Sequence, residues 1–289
     1  NAAAFTPVFP VLYRNLGEIY WKKFKDYEEA RKLYEKAVSF SSGDYRLYVA
    51  LDELYALTRK HSSREKLYRE APRNVRKNFN YVLKRAQYYV DEGQYAKAFK
   101  ILKSNTFLPW EGWTGAREVF VLAHLGRAYS YMTDGKYNKA INDFFEAMQY
   151  PENLGTGRPL HPLFTREYYF IGLCYEKLGN KQRAEKYINK VKVETTGVPT
   201  VHSYYKALSL RKLGEDNEAE RLLQEMKLKS ESLIEHSRRI KPQYYLWASM
   251  ACDALGEKIR AREYLRKAAE IDPSYRWTAL FASEIKLLE

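Results

Sequence analysis

The 289-residue sequence has few residues of the kinds that hold disulfides or metals. Its two cysteines, Cys174 and Cys252, lie on separate predicted helices, so the sequence indicates neither a disulfide framework nor a thiolate metal site. The five histidines are scattered without the short spacings of metal ligands. We therefore expect no metal and no cofactor, and the low cysteine content favours a reducing compartment, which predicts a cytoplasmic location.

Long apolar runs and catalytic motifs are also absent. The nearest approach to an uninterrupted apolar run, at 119–126, is less than half of the roughly 20 residues that a membrane-spanning helix needs. The sequence has no HExxH zinc motif, no GxSxG nucleophile elbow and no GxxxxGK[ST] phosphate loop. It thus indicates neither a membrane span nor a catalytic site, and we expect a protein that is not an enzyme.

Positive charge and tyrosine are abundant. The net charge of +13 attracts polyanions, acidic proteins and anionic membranes. Ten Lys and Arg residues fall within 59–85, but a helical pattern would spread them around the surface, so nucleic-acid binding is not favoured. The 26 tyrosines suit half-buried seams between helices better than a dry interior.

A glycine followed five residues later by an alanine recurs along the chain. The glycines are Gly93, Gly135, Gly179, Gly214 and Gly256, and the alanines are Ala98, Ala140, Ala184, Ala219 and Ala261. Such a glycine can adopt the left-handed conformation that ends one helix, and the alanine lets the next helix cross close to the first. Because the apolar residues between these landmarks follow the helical period, each unit is predicted to be a helical hairpin.

These hairpins resemble the tetratricopeptide repeat (TPR). The fourth unit matches its consensus at Ala128, Tyr131, Gly135, Tyr137, Ala140, Phe144 and Ala147. The first unit matches with one residue inserted before Tyr27, and the second keeps Leu51 and Tyr55 but lacks the glycine and alanine. The predicted units are 10–43, 45–71 (degenerate), 79–106, 121–150, 165–192, 200–228 and 242–273, with a cap over 274–289.

The TPR resemblance implies an all-α fold. We expect a right-handed superhelix, or α-solenoid, of about seven hairpins that forms a single domain over 1–289. In the last segment Trp277, Leu280, Phe281, Ile285 and Leu288 share one helical face, so this segment is predicted to be a helix that caps the final hairpin.

Two insertions make the resemblance more specific. The motifs PWEG at 109–112 and PENLG at 151–155, together with the opening at 9–20, are similar to the C-terminal TPR region of large bacterial proteins. In that family a β-sandwich-like domain of unknown function precedes the repeats, and its genes lie near those for carbohydrate processing. The resemblance implies that the sequence is a fragment and that any catalysis belongs to the N-terminal domain.

Both insertions contain candidate binding residues. In the first, the indoles either staple the loop over neighbouring helices or stack on a ligand, with a glutamate and an arginine as hydrogen-bonding neighbours. In the second, an asparagine either forms a turn or joins an arginine and a histidine as a ligand donor. These residues are Trp110, Glu111, Trp113 and Arg117, followed by Asn153, Arg158 and His161.

In the TPR family, the first helix of each hairpin lines the concave surface. The resemblance implies that the residues at these lining positions, which are mainly aromatic and basic here, form that surface. We call the following set the predicted inner-face residues: Tyr129, Arg166, Tyr169, Tyr204, Tyr205, Arg211 and Trp247. They could hold an extended or helical peptide that carries acidic residues. Alternatively, they pack against adjacent hairpins or a C-terminal extension.

The sequence therefore predicts a non-catalytic protein–protein interaction scaffold. A peptide or domain, which is acidic on the charge argument, would bind in the concave groove, and the domain that precedes the repeats in the related family is one candidate partner. The alternative is a carbohydrate-recognition module that supports glycan metabolism through the tryptophan loop. The sequence does not indicate an oligomeric state.

Overall fold

The computed structural model describes residues 9–107 and 115–288, and within these ranges the chain contains helices and no strand. The α-helices are α1 (Pro10–Ile19), α2 (Tyr27–Phe40), α3 (Tyr45–Leu57), α4 (His61–Glu70), α5 (Arg73–Arg76), α6 (Phe79–Asp91), α7 (Tyr95–Ser104), α8 (Ala116–Thr133), α9 (Tyr137–Ala147), α10 (Thr165–Lys177), α11 (Lys181–Val193), α12 (Val201–Lys212), α13 (Asp216–His236), α14 (Pro242–Ala254), α15 (Lys258–Ile271) and α16 (Trp277–Leu288). The predicted all-α class is confirmed.

The helices pack in consecutive pairs. Helix α1 packs on α2, α6 on α7, α10 on α11, α12 on α13 and α14 on α15. The first helices of the later pairs also pack on one another, α10 on α12 and α12 on α14. This is the arrangement expected of stacked hairpins, in which each pair buries its apolar face against its neighbours.

The chain divides into two compact units. Of the described residues, 9–107, 115–119 and 153–155 form unit 1, and 120–152 and 156–288 form unit 2. In unit 2, the Phe170 ring lies 5.0 Å from Tyr129, 5.6 Å from Phe144 and 6.0 Å from Tyr205, so one aromatic core joins α8, α9, α10 and α12. The prediction that 1–289 is a single domain stays a prediction.

The turns inside the hairpins have the backbone conformation that the repeat predicts. The five repeat glycines all have positive φ angles, between 67° at Gly93 and 81° at Gly256. The alanines that follow them are all buried. The left-handed helix ends and the close helix crossings predicted from the glycine and alanine spacing are therefore confirmed.

The two hairpins without a turn glycine place a charged residue in the same conformation. In the first, the inserted residue is accommodated by a π-helix over Tyr20–Phe24, after which Lys25 has φ 58°. A π-helix holds one residue more per turn than the regular ladder, which absorbs the insertion. In the degenerate second hairpin, Arg59 has φ 55°, and the next amide, of Lys60, donates to the carbonyl oxygen of Tyr55 at 2.8 Å.

A second glycine role appears where two helices of a hairpin cross. A Cβ atom added at Gly172 in α10 would lie 2.8 Å from Cδ1 of Ile188 in α11. The absence of a side chain at this position therefore sets how closely α10 approaches α11. Among the described residues, no helix is long and apolar enough to cross a membrane.

Candidate functional site

Side chains from three first helices of unit 2 converge on one carboxylate of the last helix. The Tyr129 hydroxyl in α8 donates to Oε1 of Glu284 at 2.6 Å. The Arg166 Nε in α10 lies 3.0 Å from the same oxygen, and the Tyr205 hydroxyl in α12 donates to Oε2. All four side chains are buried. We call Tyr129, Arg166 and Tyr205 the helix-binding face.

Aromatic contacts beside the carboxylate align α16 on this face. Trp277, Phe281 and Glu284 are spaced by four and three residues, which places them on one side of α16. The Arg166 guanidinium lies 4.8 Å from the centre of the Trp277 ring, in a cation–π contact. The Phe281 ring meets the Tyr204 ring edge-on at 5.7 Å. The helix is thus held by two rings and one carboxylate.

The electrostatics of the cluster favour a charged pair with neutral phenol donors. Burial, with a further contribution from Glu284, raises the pKa of Tyr129 well above its usual value. Burial likewise raises the pKa of the Tyr205 phenol. Burial alone would lower the pKa of Arg166, but the negative charge of Glu284 raises it well above its usual value. Two phenol donors and the ion pair with Arg166, whose Nε also donates to the Tyr205 hydroxyl at 3.1 Å, offset the cost of removing the carboxylate charge from water.

The remaining predicted inner-face residues also have internal contacts. Tyr169 and Tyr204 are buried. The Arg211 Nη1 donates to the carbonyl oxygen of Ala254 at 2.5 Å, which links α12 to the end of α14. Trp247 is half-buried in α14, with its ring 5.9 Å from that of Tyr244. Of the predicted inner-face residues, the structure therefore brings Tyr129, Arg166 and Tyr205 together on Glu284.

The structure adds further contacts to the predicted capping helix, α16. This helix does pack against α15, as a terminal cap would. Its Glu284 and Phe281 side chains also contact α8, α10 and α12, and these three helices belong to earlier hairpins. In a solenoid each repeat normally contacts only its neighbours, so α16 lies on unit 2 in the manner of a bound segment.

The second insertion uses its asparagine for structure. The Asn153 Nδ2 donates to the carbonyl oxygens of Leu102 and Asn105, each at 2.8 Å, and its own carbonyl oxygen accepts from the Phe107 amide at 2.7 Å. These bonds fix the C-terminal end of α7 within unit 1. They give Asn153 a structural role, and as a ligand contact it stays a prediction.

The other loop candidates differ in exposure. Arg158 and His161 are exposed, and Arg117 is half-buried in the first turn of α8. Trp110, Glu111 and Trp113 lie outside the described residues. As ligand contacts, these loop residues stay predictions.

Sequence reasoning missed Glu284, although a signal for it was present. Glu284 lies between Phe281 and Leu288 on the predicted apolar face of the last helix, where a charged residue has no reason to be unless it meets a partner. It also missed the buried His124, whose Nδ1 lies 2.7 Å from Oδ1 of Asp143, an aspartate that also accepts from Arg127. This cluster joins α8 to α9 and is explained as a structural contact.

A third buried charge cluster lies in unit 1. Arg64 of α4 donates to Asp52 of α3 at 2.6 Å and to Asp91 of α6 at 2.7 Å. It joins the degenerate second hairpin to the third. Among the residues that the structure describes, no group of three His, Cys, Asp or Glu side chains could hold a metal ion.

Comparison with protein families finds the tetratricopeptide repeat in three parts of the chain. The repeat model matches residues 12–44, 168–192 and 242–275. These segments correspond to α1 with α2, to α10 with α11, and to α14 with α15.

Solved structures that match most of this chain include two proteins described as tetratricopeptide repeat proteins and a quorum sensor. A tetratricopeptide repeat protein from Parabacteroides merdae ATCC 43184 is 17% identical with a TM-score of 0.45, and the match covers 96% of this chain and 98% of that one. The C-terminal part of a TPR repeat-containing protein from Cytophaga hutchinsonii is 12% identical with a TM-score of 0.44, covering 92% and 97%. The apo form of the quorum sensor NprR from B. thuringiensis is 14% identical with a TM-score of 0.43, covering 91% and 76%.

Proposed function

We propose that this chain, in which three segments match the tetratricopeptide repeat, is a non-catalytic scaffold that binds a helical segment of a partner protein through the helix-binding face. The TPR fold suggests a protein-interaction scaffold. The proposal adds the surface on which the partner lies and the chemistry that selects it. A cytoplasmic location belongs to the proposal, and the two buried free thiols, Cys174 and Cys252, support it.

One observation carries the proposal: the helix-binding face already holds a helix. Tyr129, Arg166 and Tyr205 come from three different hairpins, yet all of them contact the single carboxylate of Glu284. Residues that only fill a core would not need a convergent set of donors. Such a set selects one acidic residue at one position of a bound helix.

The helix α16 indicates the kind of partner that would fit. Its contacts consist of an aromatic residue, a second aromatic residue four positions later, and a glutamate three positions after that. We expect the partner helix to have two aromatic residues and a glutamate at the same spacing. The guanidinium and the two phenols are fixed in position, so they can contact a carboxylate at only one position along that helix. The domain that precedes the repeats in the related family is a candidate source of the segment.

A partner helix would replace α16 on the face. The buried ion pair contributes specificity more than net stability, because its attraction is largely offset by the desolvation of both charges. A partner that provides the same carboxylate would recover the same contacts. The release of α16 would leave the pairs α10 with α11, α12 with α13 and α14 with α15 in contact with each other as before.

Among the described residues, no observation favours carbohydrate recognition. The two tryptophans on which that alternative depends, Trp110 and Trp113, lie outside the described residues. The helix-binding proposal is therefore the one to test first.

The proposal is tested by selecting helical peptides from a displayed library for binding to the 289-residue chain. We expect enrichment of peptides with two aromatic residues and an acidic residue at the spacing of Trp277, Phe281 and Glu284. A free peptide with the α16 sequence should compete with them, and its counterpart with glutamine in place of glutamate should compete much less. Enriched peptides without an acidic residue, or with no response to either competitor, would contradict the proposal.

A further inference from the structure

A separate pocket in unit 1 has the chemistry of an anion site. It is open to solvent, has a volume of about 440 Å³ and lies between α6 and α7. Arg85 and Tyr89 of α6 face Lys97, Lys100, Ile101 and Ser104 of α7 across it. This volume is within the range of small-ligand sites, which run from roughly 300 to 1,000 Å³. None of these residues belongs to the helix-binding face.

Within the described lining of the pocket, the positive charge has no acidic partner. Its described lining has three cationic side chains and no Asp or Glu. Two of the cations share a single aromatic ring, since the Arg85 guanidinium lies 5.7 Å and the Lys97 ammonium 5.3 Å from the centre of Tyr89. A cation–π contact on the surface contributes about 0.5–1 kcal/mol, which does little against like charges held at one ring. An anion between them would be attracted to both.

Two of the cationic side chains in the pocket have no charged acceptor within the described structure. Within the described structure, Nε of Arg85 is buried without a hydrogen-bond partner, and its Nη2 has only a long contact of 3.5 Å with the Tyr89 hydroxyl. The Lys97 ammonium donates to the side-chain oxygen of Gln94 at 2.7 Å, which is a neutral acceptor. A buried donor without an acceptor has a cost, which an entering anion would relieve once the arginine turns toward it.

A phosphate group fits this donor set better than a single carboxylate. A phosphate monoester has close to two negative charges at neutral pH and three acceptor oxygens, which suits one guanidinium and two ammonium groups. The Tyr89 ring and the Ile101 side chain supply an apolar wall for the organic part of the ester. We propose that this pocket binds the phosphate monoester of a ligand, either a free small molecule or a phosphorylated side chain of a partner protein.

The test is calorimetric titration of the 289-residue chain with two kinds of probe. Phenyl phosphate represents a free ester, and a short phosphotyrosine peptide, compared with the same peptide without phosphate, represents a phosphorylated protein. We expect one or both phosphorylated probes to bind and the unphosphorylated peptide not to bind. Binding of phenyl phosphate as tight as that of the peptide assigns the site to free esters, and preferential binding of the phosphopeptide assigns it to a protein ligand.

Matched charge removals locate the binding. Lys100→Gln and Arg85→Gln should each weaken the affinity about tenfold, the effect of losing one charged hydrogen bond. Lys103→Gln removes the same charge from the same helix but outside the pocket lining, and should have little effect. Lys100 is exposed, so its variant keeps the test valid if Arg85→Gln disturbs folding. Equal losses at all three positions, or no binding of any phosphorylated probe, would overturn the proposal.

Discussion

Arg166 and Glu284 form a buried ion pair across unit 2, with Nε of the arginine 3.0 Å from Oε1 of the glutamate. The two residues lie on α10 and α16, so the pair fastens the last helix to a hairpin well before it in the chain. The phenols of Tyr129 and Tyr205 donate to the same carboxylate. The position of α16 therefore depends on one polar cluster as well as on apolar packing.

Removing the charge of Glu284 tests this dependence. Glu284→Gln leaves the Arg166 charge buried without a counter-ion, and we expect the free energy of unfolding to fall by about 3–5 kcal/mol. The double variant Arg166→Met with Glu284→Leu should recover part of this loss, because an apolar pair of similar volume has no desolvation cost but leaves the Tyr129 and Tyr205 hydroxyls without this acceptor. Urea denaturation of both variants checks the expectation. A double variant no more stable than the single one would show that the cluster stabilises by more than charge pairing.

A pH dependence is expected from His202. Its pKa is lowered to about 4, first by burial and then by the positive charge of Arg166. An unfolded histidine titrates near 6.5, so between about pH 6.5 and 4 the unfolded chain binds a proton that the folded chain does not. The free energy of unfolding is therefore highest above pH 6.5 and falls with pH through this window, by up to about 3 kcal/mol.

The control for this pH dependence is His202→Gln. Its denaturation midpoint should change less between pH 7 and pH 4.5 than that of the unmodified chain, because the contribution of His202 is removed. The other histidines are the same in both proteins, so the difference reports on His202 alone. An identical pH slope in the two proteins would show that His202 is not kept neutral by its surroundings.

The role of Asn153 is tested by comparison with a neighbour in the same insertion. Asn153→Ala removes the donor to the carbonyl oxygens of Leu102 and Asn105, and should lower the free energy of unfolding by about 1–3 kcal/mol. Arg158→Ala, at an exposed position, should change it by no more than about 0.5 kcal/mol. Chemical denaturation of the two variants distinguishes a structural residue from a surface one. Equal effects would argue against the structural assignment.

The degenerate hairpin offers a stabilising substitution. Arg59 is exposed with a φ of 55°, a conformation that costs an L-residue about 1–2 kcal/mol. Arg59→Gly should therefore raise the free energy of unfolding by about 0.5–1 kcal/mol after the loss of chain entropy is counted. Lys66→Gly, in the interior of α4, should lower it by about 1 kcal/mol. Thermal melts that show both substitutions to be destabilising would contradict the turn geometry.

The hairpins could be predicted from sequence because their determinants are local. A left-handed turn favours glycine and a close crossing favours alanine, so Gly135 and Ala140 mark their hairpin without any knowledge of the remaining chain. Where the glycine is missing, as at Lys25 and Arg59, the surrounding packing imposes the same backbone at a cost that the sequence does not show. Helix type and order thus follow from short-range patterns.

The destination of α16 could not be predicted in the same way. Its apolar face matches any exposed hairpin surface, and the sequence favours the nearest one. The choice of α8, α10 and α12 depends on how Tyr129, Arg166 and Tyr205 come together, although they are far apart in sequence. Glu284 within the apolar face of α16 indicated a polar partner, but not which one.

The most direct measurement is the binding of a fluorescently labelled α16 peptide to the 289-residue chain, with fluorescence anisotropy as the readout. The unmodified chain should bind it weakly, because its own α16 competes at high effective concentration. A chain with Trp277→Ala, which loosens α16 but retains the helix-binding face, should bind it clearly more tightly. A peptide with glutamine at the position of Glu284 should bind to neither chain. If the loosened chain binds both peptides equally, or binds neither, the face does not recognise a helix by its carboxylate and the central claim is wrong.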